Sequence, residues 1–256
     1  ARFSGVELAT EALEFNLRPS YLMHYSLNLQ RELRDTVLSL AYVGSRGVNL
    51  FGQGDANIAF PQILPDGREF FPEGSRRRNP SFDIVRSTIQ GFSSVYNGLT
   101  AGLSRRFSGG LQFQFAYTLG KSIDERSGTN GRLDYSNGQA RALDLYNRRL
   151  DRGLSDFDVR HSFAANATYD LPFGSQGSKL ANTLGAGWQL SGILTLASGQ
   201  PFTPIIGFDN ANIITRRRGD NQRPDLVAGR SNNPTNPQNA DQYFDPTSFT
   251  LSPRGT

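Results

Sequence analysis

Apolar and polar residues alternate along one stretch of this chain. Leu111, Phe113, Phe115, Tyr117 and Leu119 fall on one side, and Gln112, Gln114, Ala116, Thr118 and Gly120 on the other. Successive side chains of an extended chain point to opposite faces, so the stretch predicts a strand with one apolar and one polar wall. The same period recurs, predicting strands over about 21–30, 36–45, 85–107, 111–123, 157–171 and 185–200. In the first, Tyr21, Met23, Tyr25, Leu27 and Leu29 oppose His24, Ser26, Asn28 and Gln30. In the fifth, Phe157, Val159, Phe163, Ala165, Ala167, Tyr169 and Leu171 oppose Asp158, Arg160, Ser162, Asn166, Thr168 and Asp170. In the sixth, Trp188, Leu190, Leu194 and Leu196 oppose Gln189, Ser191 and Thr195.

The connections alternate in length. A short polar link at 31–35, the turn Ser108-Gly109-Gly110 and a moderate link at 172–184 alternate with polar stretches at 46–83, 124–156 and beyond Pro201. Glycines in the Ser108 turn supply the positive φ that a tight hairpin needs. A short helix is expected within the second long stretch, at 139–150, and no strand after Pro201. In an antiparallel meander every second connection lies at one end, so one end carries small turns and the other long loops. Transmembrane β-barrels have this asymmetry.

Alternation alone does not separate a membrane barrel from a soluble sandwich. Three features favour the membrane. Soluble strands cluster near 5–6 residues, whereas a tilted bilayer-crossing strand needs about 9–11, and these are long. The polar faces carry Gly, Ser, Thr, Gln and Ala rather than Lys and Glu. Charges on the apolar faces lie at strand ends, Arg105 beside the Ser108 turn and Lys121 at the far end of the next strand. A lipid-facing cation costs about 2–4 kcal/mol at the midplane and only about 0–1 near the interface. Tyr117, Tyr169 and Trp188 are candidates for an interfacial aromatic girdle. Asp158, Arg160, Asn166 and Asp170 fall on the polar faces and are candidates for lining the lumen or meeting a plug.

Composition narrows the chemistry. The chain has 256 residues and no cysteine, which removes disulfides, thiol nucleophiles and thiolate metal sites. Mean hydropathy is -0.46, and no run approaches the roughly 18 apolar residues of a transmembrane helix. No charged segment followed by an apolar one opens the chain, so no signal peptide is read there. The net charge is +4, nearly all of the basic charge being arginine. Two triplets, Arg76-Arg77-Arg78 and Arg216-Arg217-Arg218, sit in Gly/Pro/Asn-rich stretches and read as solvated loop charge, not as a nucleic-acid surface.

No catalytic set, metal site or cofactor site is expected. His161 lies near Asp156, Asp158 and Ser162, but in a strand Asp158 and His161 point to opposite faces, and a nucleophile, base and orienter must meet in space. Gly52-Gln53-Gly54-Asp55 lacks the helix and lysine of a phosphate loop. Asp55, Asp66, Asp124 and Asp134 show no EF-hand spacing and read as solvated.

An ordered set of motifs resembles the barrel of TonB-dependent receptors. It comprises Ala41-Tyr42-Val43-Gly44-Ser45-Arg46-Gly47, Arg105-Arg106-Phe107 with Gly110-Leu111, and Ala116-Tyr117-Thr118 with Lys121-Ser122-Ile123-Asp124. It continues with Ser155-Asp156-Phe157-Asp158-Val159-Arg160-His161, Leu171-Pro172-Phe173-Gly174, and Gly187-Trp188-Gln189-Leu190-Ser191-Gly192 with Ser198-Gly199-Gln200-Pro201-Phe202. The likeness spans roughly 15–250 and is greatest to the Oar-like group, in which a carboxypeptidase-regulatory-like domain and a plug accompany a 22-stranded barrel. It implies an all-β, antiparallel, up-and-down transmembrane barrel segment in a bacterial outer membrane, serving energised uptake of a nutrient. The implied partners are membrane lipid, a plug and the remaining barrel strands, TonB, and an unidentified nutrient. Six strands do not close a membrane barrel, so 1–256 is expected to be part of one, with 201–256 a long loop or disordered end. An adhesion or structural barrel that transports nothing, and a soluble β-sandwich binding module, are the competing expectations.

Overall fold

A computed structural model describes residues 8–127, 142–172, 187–213, 222–233, 239, 241 and 243–256. The main strands are β1 (Thr10–Leu13), β2 (Tyr21–Leu33), β3 (Thr36–Asp55), β4 (Gln62–Ile63), β5 (Glu69–Phe70), β6 (Val85–Ser108), β7 (Leu111–Asp124), β8 (Gly153–Leu154), β9 (His161–Asp170), β10 (Gln189–Ala197), β11 (Asp225–Leu226) and β12 (Phe249–Thr250). One sheet runs in the order β10-β9-β7-β6-β3-β2, with every pair along it antiparallel. It is therefore the expected antiparallel meander. No described strand pairs with the outer edges of β2 and β10, so the sheet is open.

The register gathers the apolar residues of successive strands on one face, with arginines only toward its margins. Leu29, Leu40, Ala101, Tyr117, Phe163 and Leu196 form one continuous rung across six strands. The next rung carries Arg31, Leu38, Leu103, Phe115, Ala165 and Leu194. On the opposite face, Ser39, Gly102 and Ala116 share a rung, as do Ala41, Thr100, Thr118 and Ser162. Directly opposed side chains stabilise such a ladder by about 0.2–1 kcal/mol per pair. Thr100 and Thr118 do so through a hydroxyl pair at 2.9 Å, and Phe115 stacks diagonally on Phe163, the partner of Tyr117, with ring centroids 6.5 Å apart. At the β6–β7 turn, Gly109 and Gly110 take φ of 60° and 78°, the conformation glycine adopts without cost.

Four strands differ from the sequence reading. β2 runs on to Leu33, past the expected end at 30. β3 continues ten residues past 45, through glycines and Asn49 that read as loop. A bulge between Gly47 and Leu50, with Asn49 at φ 55°, carries the strand on. Gly52 and Gly54 are there because side chains lie on the backbone: an added Cβ would stand 2.1 Å from the Phe92 ring and 2.5 Å from Leu145. β9 begins at His161, not at 157, because the chain turns at Asp156 and Phe157, with Asp158 N donating to Ser155 O at 2.8 Å. β10 spans Gln189–Ala197, shorter than 185–200, and of the expected extension 185–186 lies outside the described residues.

The expected helix over 139–150 is replaced, in its described part, by a single 3-10 turn at Arg148–Asp151. Residues 139–141 lie outside the described residues, as do most of the 172–184 link and the triplet at 216–218. Beyond Pro201, where no strand was expected, β11 and β12 form a two-residue ladder.

Among the described residues, the buried hydrophobic ones are not on the wall of alternating strands. They are Ile58, Ala59, Phe71, Phe92, Ala142, Leu145 and Ile213, all in the long connections or the extension of β6 beside them. These form a cap at the long-loop end: Ala59, Phe71 and Ile213 make one cluster, and Phe92, Ala142 and Leu145 another. The apolar wall stays open, with Leu27 74% and Leu29 70% exposed on β2, and Leu190 63% exposed on β10.

Candidate functional site

Two surfaces carry the chemistry: the two-faced wall and the cap above it. Along β7 the apolar face runs from Leu111 to Lys121. Ten steps of about 3.3 Å, tilted at about 40°, give a height of about 25 Å, the thickness of the apolar band of a membrane barrel. A soluble sandwich would cover this face with a second sheet, and none of the described strands does so.

The loop-side margin of the apolar face carries polar tips. Tyr42 donates its hydroxyl to Asn97 Oδ1 at 2.6 Å, and Tyr25 donates to the same atom at 3.3 Å. Tyr117 Oη and His161 Nδ1 lie 2.7 Å apart. Tyr169 sits at the opposite margin, paired with Leu111 next to the β6–β7 turn and with Leu190. Trp188 lies one residue before β10, 61% exposed, its carbonyl accepting from Leu171 N at 2.8 Å. Tyr169 and Trp188 thus lie at the turn-side end of the apolar face, whereas Tyr117 lies nearer its middle, between Leu111 and Lys121. Asn97 escaped the sequence reading because it interrupts an apolar face, and His161 was weighed there only beside Asp156, Asp158 and Ser162, not beside Tyr117. The nearby tyrosines were the available signal.

The four candidates for the polar face do not form one cluster. Asn166 stands between Gln114 and Ile193, and Asp170 accepts from Gln189 Nε2 at 2.9 Å, both on the polar face of β9. Asp158 and Arg160 precede that strand, contrary to the strand expected over 157–171. Asp158 is buried, and its Oδ1 accepts from Ser122 N at 2.6 Å, closing the end of β7. Arg160 exchanges backbone contact with Gly120, whose N–H donates to Arg160 O at 3.0 Å. Phe157 and Val159 preserve the parity of β9, which is why the turn was read as strand.

The cap is pinned by buried polar groups. Asn57, 2% exposed, donates its amide hydrogens to the carbonyls of Asn79, Phe82 and Asp83 at 3.0, 2.9 and 3.1 Å. Its Oδ1 accepts from Asn79 N at 2.7 Å. The triplet 76–78 is not solvated charge throughout. Arg77 bridges Asp55 at 2.9 Å and Asp83 at 2.8 Å, all three side chains being largely buried. Arg78 lies between the rings of Phe60 and Tyr146, at 4.0 and 3.7 Å from their centroids. Asp55 was read as solvated, and this pairing corrects that reading.

Beside this knot lies a cavity of about 510 Å³ between β5, the 143–150 segment and the segments 206–213 and 222–225. Phe71, Leu143, Ile206 and Ile213 form its apolar side, and Glu69, Asp144, Asn147 and Gln222 its polar side. Burial, and then the neighbouring Asp144 carboxylate, hold the Glu69 carboxyl above its ordinary range. Burial likewise raises Asp151, against the opposing effect of Leu143 N and Arg223. Burial raises Asp156 too, with Asp124 adding repulsion. No local pattern announced the cavity, because its lining comes from segments more than a hundred residues apart.

No curated protein and no solved structure matches the chain. The family model described as "Outer membrane beta barrel domain" matches residues 2–256. With an uncovered apolar face of bilayer height and long connections gathered at one end, the chain is a bacterial outer-membrane protein and belongs to the outer membrane beta barrel domain family.

Proposed function

We propose that this chain forms wall and surface loops of a TonB-dependent receptor that draws a nutrient across the outer membrane. The observation that carries the reading is the folded cap: long loops with their own buried core enclose a cavity at one end of a lipid-facing wall. The ordered motifs from Ala41 to Phe202 support the same family of receptors. On this reading Asn166 and Asp170 face the lumen or a plug, while Asp158 and Arg160 hold the loop-side end of the wall. Tyr25, Tyr42 and His161, with the Tyr117 hydroxyl reaching His161, mark one interface, and Tyr169 with Trp188 the other. Amphipathic rings with polar tips favour that depth.

The partners are lipid, a plug and further strands, TonB and the nutrient. In-cell crosslinking of the full-length protein to TonB tests the reading. Energised transport predicts a crosslinked product. Its absence overturns transport and leaves a surface barrel that adheres or supports.

A further inference from the structure

The cavity in the cap has an electrostatic signature that the transport reading does not specify. Of its charged lining residues, Arg68 and Arg223 are already paired with acids outside the lining: Arg68 with Asp66 at 2.7 Å, and Arg223 with Asp151. The acids that line it are Glu69, Asp144 and Asp225. Their hydrogen-bond donors are all neutral. Asn147 Nδ2 donates to Glu69 at 3.3 Å, Tyr146 N to Asp144 at 2.7 Å, and Ser252 Oγ to Asp225 at 2.7 Å. No ion pair reaches any of the three among the described residues. Asp144 is 5% exposed, with Tyr146 N as its donor and the Glu69 carboxyl beside it. Buried carboxyl groups of this kind are stabilised by the approach of an opposite charge. Across from the acids, Phe71, Leu143 and Ile213 offer an apolar surface, and the volume suits a small molecule.

We propose that this cavity binds a small organic cation, with an ammonium or guanidinium group against Glu69 and Asp144 and its hydrocarbon part against Phe71, Leu143 and Ile213. This deepens the receptor reading by naming a ligand class for the cap. An anionic ligand would meet three acids, with both arginines already engaged. The raised proton affinity of Glu69 agrees: burial, and then the Asp144 carboxylate, disfavour its charged form.

Calorimetry on the full-length protein in nanodiscs tests it, with empty nanodiscs subtracting partition into lipid. The probes are n-butylammonium, 1-butanol and butyrate. Butylammonium should bind saturably, at least about tenfold tighter than butanol, the size of one charge-assisted hydrogen bond. Butyrate should not bind. Glu69→Gln should erase the preference for butylammonium while leaving butanol binding unchanged, and Asp144→Asn should act in the same direction. Equal or tighter binding of butanol or butyrate, absence of saturable butylammonium binding, or an unchanged preference in Glu69→Gln overturns the site. The wild-type probe series decides even if a variant misfolds. Cation binding without TonB crosslinking keeps the site and removes transport, while crosslinking without cation binding does the reverse.

Discussion

Replacing Asn57 with alanine should unpin the cap while leaving the wall intact. The side chain holds three carbonyls and one N–H of a loop that returns over it from 79 to 83. Alanine leaves the Asn79 N–H and those carbonyls without their partner at a site only 2% exposed. Each hydrogen bond contributes about 0.5–1.5 kcal/mol net, and a stranded buried group costs about 1–3 kcal/mol, so the loss is about 3 kcal/mol with partial access of water. That corresponds to roughly a hundredfold larger open population of the cap. Hydrogen exchange of the segment 76–85 reads this population, because local opening controls exchange there. The segment should exchange about a hundredfold faster in Asn57→Ala, with the β6–β7 ladder unchanged. Gln62→Ala, an exposed position in the same connection, should shift nothing. Unchanged exchange over 76–85 in Asn57→Ala would refute the pin.

Three further outcomes follow from the same structure. Phe115→Arg should block membrane assembly, since a lipid-facing arginine costs about 2–4 kcal/mol at the midplane, whereas Gln114→Arg on the polar face should assemble normally in the same outer-membrane fractionation. Gly52→Val should disrupt the β3–β6 extension, because its Cβ would meet the Phe92 ring at 2.1 Å; protease sensitivity of the cap reports it, and a resistant variant contradicts the packing. Because the folded cap raises the Glu69 carboxyl above its ordinary 4.5, the folded state holds the proton more firmly than the unfolded one. Its contribution to cap stability therefore falls as pH climbs from 4.5 through the raised value. Glu69→Gln should flatten that part of the hydrogen-exchange pH profile, and an identical profile sinks the assignment.

What could be read from the residues was the part governed by period two. β6 and β7 emerge within a residue of their expected ends because the register pairs like with like over most of their length, from Leu103 with Phe115 to Thr100 with Thr118. The extension of β3 was hidden by Gly52 and Gly54, which break the pattern locally and are explained only by Phe92 and Leu145 lying on them. The start of β9 was misplaced for the opposite reason: Phe157 and Val159 keep the period although the chain turns at Asp156 and Phe157, which brings Asp158 to accept from Ser122 N. The triplet at 76–78 looked like solvated charge because its partners, Asp55 and Tyr146, are distant in sequence. The cap and its cavity are tertiary in the same sense. Glu69 meets Asp144 only after the wall has brought two loops to one end.

The central claim is that the Leu/Phe/Tyr face of the sheet contacts lipid and the Gln/Thr/Gly face does not. A fluorophore placed singly at Gln112, Phe113, Gln114, Phe115, Ala116 and Tyr117 of the full-length protein, in bilayers with and without brominated lipid, measures this directly. Quenching should alternate, strong at Phe113, Phe115 and Tyr117 and weak at Gln112, Gln114 and Ala116. Uniform quenching, or alternation of the opposite phase, would contradict the orientation of the wall.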